Sequence, residues 1–215
     1  NTSHFGEISQ AKKLIHQAKV SGCDAIKLQS WTSESLYSES FYKKNPISKR
    51  LFDKFSLSEK QMFELWEYSK KIKIDLCSTP YSKKEVDFLV EKLSVPYLKV
   101  ASMDLNNYEY LGYVASKDIP IVLSTGMGDL GEIKKAVKTI EAMNNKKICI
   151  LHCVSLYPPK TSQLHLNNIS GFMKIFSNYP IGFSDHSPGT EMAISATALG
   201  ACMLEKYFTL DKSKI

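Results

Sequence analysis

The sequence has no run of about 18 consecutive apolar residues, so it predicts no transmembrane helix. Its opening stretch, NTSHFGEISQAKK, is polar and lacks the apolar centre of a signal peptide. The five cysteines, at 23, 77, 149, 153 and 202, are odd in number and have no disulfide-like or metal-ligand spacing. These absences favour a cytoplasmic protein in a reducing compartment that is not attached to a membrane.

Two further motifs are missing. No Gly-x-Gly-x-x-Gly follows an apolar run, which disfavours a dinucleotide-binding fold. No DNA- or RNA-binding motif accompanies the net charge of +6, which comes from 28 lysines and arginines against 22 acidic residues. Much of this charge lies in short lysine clusters, as is typical of a solvated surface, so no nucleic-acid partner is expected. The positive field would still favour a small anionic substrate.

Short apolar runs alternate with amphipathic stretches along the whole chain. Seven runs are typical of strands, over 23–30, 73–80, 96–102, 119–126, 147–155, 181–187 and 201–209. Helical patterns cover 8–22, 58–73, 83–93, 107–116, 130–142, 164–177 and 190–199. Strands that alternate with helices predict an α/β protein with a parallel sheet, and this spacing suits a (β/α)₈ TIM barrel. We expect one barrel domain over 1–215, lacking its first strand and last helix in this chain.

The connection between the first predicted strand and the helix near 58 is unusually long, at almost thirty residues. Connections of that length often form a functional lid or contain a short helix of their own. We expect Tyr37, Phe41 and Tyr42 to pack this segment down rather than to contact a ligand.

Polar residues follow the apolar bodies of the predicted strands. The residues at these ends include Lys27, Gln29, Thr79, Lys99, Ser102, Ser124, Ser155, Ser184, His186 and Glu205. In parallel barrels the chemistry takes place at the carboxyl ends of the strands. A single polar end would be a turn signal, but polar ends on all seven strands predict a ring around one pocket.

Two lysines lie within apolar strands. Lys27 stands in AIKLQ and Lys99 in YLKVA, and a buried unpaired ammonium is costly unless it has a partner or its pKa shifts. One interpretation is that each lysine pairs with a structural carboxylate. The hydroxyls of Thr79, Ser102, Ser124 and Ser184 at neighbouring ends instead favour a pocket for a phosphate or carboxylate group, that is, for a small dianion.

The two strand histidines differ in their surroundings. His152 stands in an apolar run and is typical of a core histidine. His186 lies between Asp185 and a serine at a strand end, which makes it a candidate metal ligand or acid–base group. Glu205, on the next predicted strand, could be its neighbour.

Several of these segments together resemble the sialic acid synthase family. They are AKKLIHQAKVSGCDAIKLQS, STP, YLKVAS, LSTGM, LHCVSLYP, GFSDHS and LEKYFTLDK, which have the order and spacing of that family over nearly the whole chain. Members make N-acetylneuraminic, legionaminic or pseudaminic acid. The resemblance implies a (β/α)₈ barrel, in agreement with the alternation of strands and helices.

The resemblance also implies a reaction. Phosphoenolpyruvate would condense with the open-chain aldehyde of an N-acylated amino sugar, and phosphate would be released. By motif position, phosphoenolpyruvate would be held by Lys27, Thr79, Lys99, Ser102, Ser124, Ser155 and Ser184, with Lys27 and Lys99 stabilising its charges. The residues facing the sugar would be Gln29, Asp104 and Tyr157. A divalent metal, manganese or magnesium, would polarise the aldehyde, with His186 as one ligand and Glu205 in support. A homodimer is possible.

The chain departs from the family pattern at three places. Tyr207 stands where the family has the second metal-binding histidine. The family's catalytic glutamate precedes an Asn-His-x-Gly stretch that NTSHFG resembles, so that glutamate is not in this chain. The family's C-terminal antifreeze-like domain is also absent from it. Asp104 replaces a commoner glutamate, and Ser155 an asparagine of some members.

Two alternative functions stay open from the sequence. One is a Schiff-base aldolase in which Lys27 or Lys99 is the nucleophile. The other is a non-catalytic barrel that binds sugar phosphates, which the tyrosine at 207 and the missing glutamate favour.

Overall fold

The computed structural model describes residues 3–211 and divides into two compact units. The first unit is the described part of Asn1–Leu98 and of Phe208–Ile215, and the second unit is Lys99–Tyr207. None of the helices among the described residues is long and apolar enough to cross a membrane.

The first unit contains six helices and two complete strands among its described residues. In chain order they are α1 (Ile8–Val20), β1 (Ala25–Ser30), α2 (Ser33–Leu36), α3 (Glu39–Lys44), α4 (Pro46–Phe55), α5 (Glu59–Lys71), β2 (Asp75–Pro80) and α6 (Lys83–Asp87). A third strand, β3 (Leu98–Val100), begins at the end of this unit. Strands β1 and β2 pair in parallel, with Lys27 opposite Cys77 and Gln29 opposite Thr79.

The second unit continues the same alternation. It contains α7 (Tyr108–Ala115), β4 (Ile121–Ser124), α8 (Leu130–Glu141), β5 (Ile148–Cys153), α9 (Asn167–Ile175), β6 (Ile181–Asp185), α10 (Glu191–Ala198) and β7 (Leu204–Lys206). Strands β4 to β7 pair in parallel in chain order. Parallel pairing places the carboxyl ends of these strands at one edge of the sheet, where the predicted polar residues lie.

Local sequence signals explain where the longer helices begin and which face they bury. Ser58 caps α5 and forms a capping box with Gln61, and Asp129 does the same for α8 with Glu132. The apolar residues of α8 recur at helical spacing and are buried, namely Ile133, Ala136, Val137 and Ile140. The helical predictions over 58–73 and 130–142 are confirmed to within two residues at each end.

The long connection after β1 folds into α2, α3 and α4. Its aromatic residues pack on one another, with the Tyr37 ring stacked on Phe41 at 4.5 Å and on Phe52 at 5.5 Å. Tyr42 is buried, and its hydroxyl donates a hydrogen bond to the Ser33 carbonyl at 2.7 Å. The prediction that these aromatic residues hold the segment down is confirmed.

The lengths of several predicted elements were wrong. The apolar run over 201–209 forms a strand only at Leu204–Lys206, and the run over 96–102 only at Leu98–Val100, because pairing ends before the apolar pattern does. The helix predicted over 83–93 ends at Asp87 and continues as a π-helical turn, Phe88–Lys92. That turn is closed by a hydrogen bond from the Leu93 amide to the Phe88 carbonyl, five residues back.

Candidate active site

Four strands of the second unit bring a lysine, two serines and a glutamate together at their carboxyl ends. Lys99 of β3 donates a hydrogen bond to the Ser124 hydroxyl of β4, with 2.6 Å between nitrogen and oxygen. Its ammonium nitrogen lies 3.8 Å from a carboxylate oxygen of Glu205 on β7. The Ser184 hydroxyl of β6 donates to the same carboxylate oxygen at 3.2 Å. We call these four residues the Lys99 cluster.

Strand alternation explains why Lys99 points into this cluster. Leu98 and Val100 on either side of it are buried on the opposite face, so Lys99 faces away from them. Lys99 is 3% exposed, whereas the Glu205 side chain is 25% exposed. The carboxylate partner that the sequence left open for Lys99 is therefore present, but at a longer distance than a direct hydrogen bond and near solvent.

The loop after β4 packs tightly beside this cluster. The Gly126 amide donates a hydrogen bond to the Ser102 hydroxyl at 2.9 Å. A Cβ atom on Gly126 would lie 2.7 Å from the Ser155 hydroxyl and 3.1 Å from the Cys153 carbonyl. Only glycine allows this approach, which draws Ser102 and Ser155 to the same loop.

His186 follows β6, and two tyrosine rings pack against its ring. Its ring centroid lies 4.4 Å from that of Tyr157 and 5.2 Å from that of Tyr207, and both pairs are stacked. Its Nδ1 lies 2.9 Å from the Val154 carbonyl oxygen, which can only accept, so Nδ1 carries the proton. Nε2 faces the Cys153 sulfur at 4.0 Å. Burial lowers the pKa of His186 and favours the neutral ring.

The residue before His186 has a structural role that the sequence did not reveal. Asp185 is 1% exposed and accepts hydrogen bonds from the Ser187 amide and hydroxyl at 2.8 Å and 2.6 Å. Lys206 forms an ion pair with it at 2.6 Å and also donates to the Ser187 carbonyl at 2.7 Å. These contacts fix the turn that carries His186.

Asp104, in the second unit, is a carboxyl group whose pKa is strongly raised by its surroundings. Its Oδ2 atom is buried without a hydrogen-bond partner among the described residues. Burial raises its pKa from 3.8 to about 6, against a smaller lowering by a hydrogen bond from Asn107. Asp104 is therefore a half-buried carboxyl in the turn after β3, with one buried oxygen that could accept a hydrogen bond from a polar ligand.

Asp104→Asn is expected to raise the free energy of unfolding at pH 7 by about 1 kcal/mol. This gain is smaller than the pKa shift alone would give, because the carboxyl is partly exposed and solvent screens its charge. A carboxyl whose folded pKa is raised destabilises the folded state increasingly as the pH rises from its unfolded pKa of 3.8, and the effect is complete above its folded pKa of about 6. The gain should therefore shrink towards zero as the pH falls to 4. Urea unfolding of the full-length protein at both pH values checks this, and an equal gain at both would contradict it.

A second polar group lies in the first unit. Lys27 donates to the Thr79 hydroxyl at 3.2 Å, and the Gln29 amide donates to the Tyr81 hydroxyl at 2.9 Å. Trp31 is 6% exposed, packs edge-on to Tyr81, and its indole N–H is buried without a partner among the described residues. Sequence reasoning missed Tyr81 and Trp31, although both directly follow a strand end.

The donor atoms around His186 do not fit a divalent cation. Within residues 3–211, no group of three or more His, Cys, Asp or Glu side chains could hold a metal ion. Glu205 is engaged by Lys99 and Ser184, and Asp185 by Lys206 and Ser187. The manganese or magnesium ion predicted at His186 stays a prediction without a donor set in this part of the chain.

The other strand histidine behaves as the sequence predicts for a core residue. His152 is buried, its Nε2 lies 2.6 Å from the Leu164 carbonyl oxygen, and its ring stacks on Phe183 at 5.8 Å. It takes no part in the Lys99 cluster.

Parallel strands that alternate with helices and carry polar side chains at their carboxyl ends define an α/β protein of the barrel class. The chain belongs to the NeuB family, whose model matches residues 14–215. The predicted resemblance to sialic acid synthases is therefore confirmed.

Curated relatives match almost the whole chain. An uncharacterized protein, MJ1065, from Methanocaldococcus jannaschii is 44% identical over 98% of this chain and 60% of its own length. The N,N'-diacetyllegionaminic acid synthase of Legionella pneumophila is 34% identical over 98% of this chain and 62% of its own. The pseudaminic acid synthase of Helicobacter pylori is 33% identical over 99% of this chain and 65% of its own length. The chain thus spans 60% to 65% of the length of these relatives.

Solved structures agree with the fold. The N-acetylneuraminic acid synthetase of Leptospira borgpetersenii, crystallised with citrate, has a TM-score of 0.91 at 31% identity and covers 99% of this chain and 72% of its own. The spore coat polysaccharide biosynthesis protein SpsE of Bacillus subtilis has a TM-score of 0.87 at 30% identity. The match covers 98% of this chain and 58% of the SpsE chain. A truncated 3-deoxy-D-arabino-heptulosonate 7-phosphate synthase from Thermotoga maritima, at 14% identity and a TM-score of 0.71, shares the fold alone. The predicted barrel fold class is confirmed.

Proposed function

We propose that this chain carries the phosphoenolpyruvate-binding part of a nonulosonic acid synthase, an enzyme that joins phosphoenolpyruvate to an open-chain N-acylated amino sugar and releases phosphate. The observation that carries the proposal is the Lys99 cluster, a buried ammonium beside two hydroxyls at the carboxyl ends of parallel strands. Membership of the NeuB family and relatives named as legionaminic and pseudaminic acid synthases support it. A relative crystallised with citrate, itself a small polyanion, is consistent with it.

The residues of the second unit divide into two roles in this proposal. Lys99, Ser102, Ser124, Ser155 and Ser184 hold the phosphate and carboxylate groups of phosphoenolpyruvate through charge-assisted hydrogen bonds. Asp104 and Tyr157 face the sugar. Lys27, Thr79 and Gln29 lie in the first unit, and the roles that the resemblance gives them stay predictions. Glu205 accepts from Ser184 and orients Lys99, so it is a positioning residue here.

The proposed reaction balances without a redox partner. Carbon 3 of phosphoenolpyruvate attacks the aldehyde carbon of the sugar, water adds at carbon 2, and phosphate leaves. Negative charge grows on the departing phosphate oxygens, and the buried ammonium of Lys99 stabilises it most strongly where water is excluded. The Ser124 and Ser184 hydroxyls can turn to donate to the same oxygens.

Incubation of the full-length protein with phosphoenolpyruvate and a panel of N-acylated amino sugars tests the proposal. We expect one sugar to give phosphate and an equal amount of an acid whose mass is that of the sugar plus phosphoenolpyruvate and water minus phosphate. A protein that binds phosphoenolpyruvate but releases no phosphate with any sugar would instead be the non-catalytic binding barrel. The choice of sugars follows the named relatives, which make N-acetylneuraminic, legionaminic and pseudaminic acids or their phosphates.

The burial of Lys99 also favours a second candidate, the Schiff-base aldolase, because desolvated lysines serve as imine nucleophiles. Borohydride reduction in the presence of pyruvate separates the two. A synthase leaves the mass of the protein unchanged, whereas an aldolase gains a reduced adduct on Lys99 or Lys27. Lys147, which is exposed, is the control lysine for non-specific labelling.

A further inference from the structure

The stack of Tyr157, His186 and Tyr207 contains two residues, His186 and Tyr207, to which the proposed reaction assigns no role. The His186 ring lies 4.4 Å from the Tyr157 ring and 5.2 Å from the Tyr207 ring, and the two tyrosine rings lie 6.0 Å apart, centroid to centroid, so each ring contacts the other two. The two tyrosines are 64% and 51% exposed, so the stack reaches solvent while its histidine is held in place. The stack adjoins the Lys99 cluster. Besides burial, which lowers the pKa of His186 most, the charge of Glu205 raises this pKa and the charge of Lys99 lowers it.

The surroundings of the stack oppose a divalent cation at His186. Manganese and magnesium prefer several oxygen ligands, and a protonated phenol such as Tyr207 is a poor one. The Nδ1 atom donates to the Val154 carbonyl, so Nε2 is the one ring nitrogen able to bind a cation. The carboxylate of Glu205 is engaged by Lys99 and Ser184, and that of Asp185 by Lys206 and Ser187. The ammonium of Lys99 would also repel a second cation nearby.

We propose that this chain's strand-end site works without a bound divalent cation, and that the Tyr207 hydroxyl donates a hydrogen bond to the acceptor sugar in its place. The inference rests on the proposed function for the identity of the sugar. Burial and the neighbouring Tyr157, to which it is hydrogen-bonded, raise the pKa of Tyr207 above its ordinary value, so the phenol keeps its proton at neutral pH. Its hydroxyl can turn from Tyr157 to donate to a carbonyl oxygen of the sugar without a change in charge. Its position against a fixed histidine ring orients it.

Titration of manganese into the full-length protein, followed by the electron paramagnetic resonance signal of the free ion, tests this without any need for turnover. We expect the wild-type protein to bind with a dissociation constant of about 1 mM or weaker at this site. Tyr207→His places a second imidazole beside the first and should tighten manganese binding by about 100-fold. Tyr207→Phe keeps the stacked ring, adds no ligand, and should leave the affinity unchanged.

Binding clearly tighter than 1 mM that His186→Ala abolishes would overturn the inference. Binding that survives His186→Ala lies elsewhere on the protein and supports it. If Tyr207→His does not fold, as judged by its melting temperature, the comparison of wild type with His186→Ala alone decides. A protein without phosphate release would contradict the proposed function but leave the manganese result standing.

The hydrogen-bond role has a separate readout. Tyr207→Phe should raise the KM for the sugar or lower kcat by about tenfold while the KM for phosphoenolpyruvate stays within about twofold. Tyr113→Phe, a tyrosine on α7, is the matched control and should change neither constant. An unchanged sugar KM and kcat in Tyr207→Phe would contradict the proposed donor.

Discussion

Lys99→Ala is expected to lower phosphate release by the full-length protein at least about 100-fold, because it removes a buried donor aimed at the position of the developing charge. Lys99 is 3% exposed and its ammonium lies 2.6 Å from the Ser124 hydroxyl, so water does not easily replace it. The loss should fall mainly on kcat, since the interaction strengthens as phosphate departs. Steady-state kinetics with phosphoenolpyruvate and the active sugar measure it.

A matched control separates this effect from a general loss of positive charge. Lys147→Ala removes a lysine whose ion pair with Asp118, at 3.0 Å, is exposed, and should leave the rate within about twofold. The melting temperatures of both variants show whether either has lost its fold. Turnover close to wild type in a folded Lys99→Ala variant would refute the assigned role.

Lys206→Met is expected to lower the free energy of unfolding by about 3 kcal/mol, since it leaves the Asp185 carboxylate buried without its cation. Asp185 is 1% exposed and its ion pair with Lys206 is 2.6 Å long. The Ser187 amide and hydroxyl would still donate to the carboxylate, which limits the loss. Urea unfolding of the full-length protein at pH 7 gives the value.

The double variant tests whether the cost comes from the unpaired charge. Asp185→Asn in the Lys206→Met background should recover a large part of the loss, because a neutral amide is cheaper to bury than a lone carboxylate. If the loss of unfolding free energy in the double variant equals the sum of the losses in Lys206→Met and Asp185→Asn alone, the ion pair contributes little.

The positions of polar residues at the carboxyl ends of parallel strands made the Lys99 cluster predictable. Lys99, Ser124, Ser184 and Glu205 each stand at or near the carboxyl end of an apolar run, and parallel pairing brings such ends to one edge. The same reasoning placed Lys27 and Thr79 at neighbouring strand ends, and the two contact each other at 3.2 Å. The identity of the strands and their direction was enough for these contacts, even where their lengths were wrong.

Contacts made by turns and loops were not predictable in the same way. The stacking of Tyr157 and Tyr207 on His186 depends on the course of two loops, which no periodicity in the sequence fixes. Nothing in the sequence indicated the ion pair of Asp185 with Lys206, a residue on the neighbouring strand. Side-chain pairing of that kind depends on register, which apolar runs alone do not set.

Isothermal titration of phosphoenolpyruvate into the full-length protein tests most directly the central claim, that the Lys99 cluster is an anion site. The account predicts saturable binding to the wild-type protein, at least about tenfold weaker binding to Lys99→Met, and unchanged binding to Lys147→Met. The methionine retains most of the apolar length of lysine without its charge, so packing is largely preserved. Equal affinities of the wild-type protein and a folded Lys99→Met variant would contradict the claim, whatever activity the protein has.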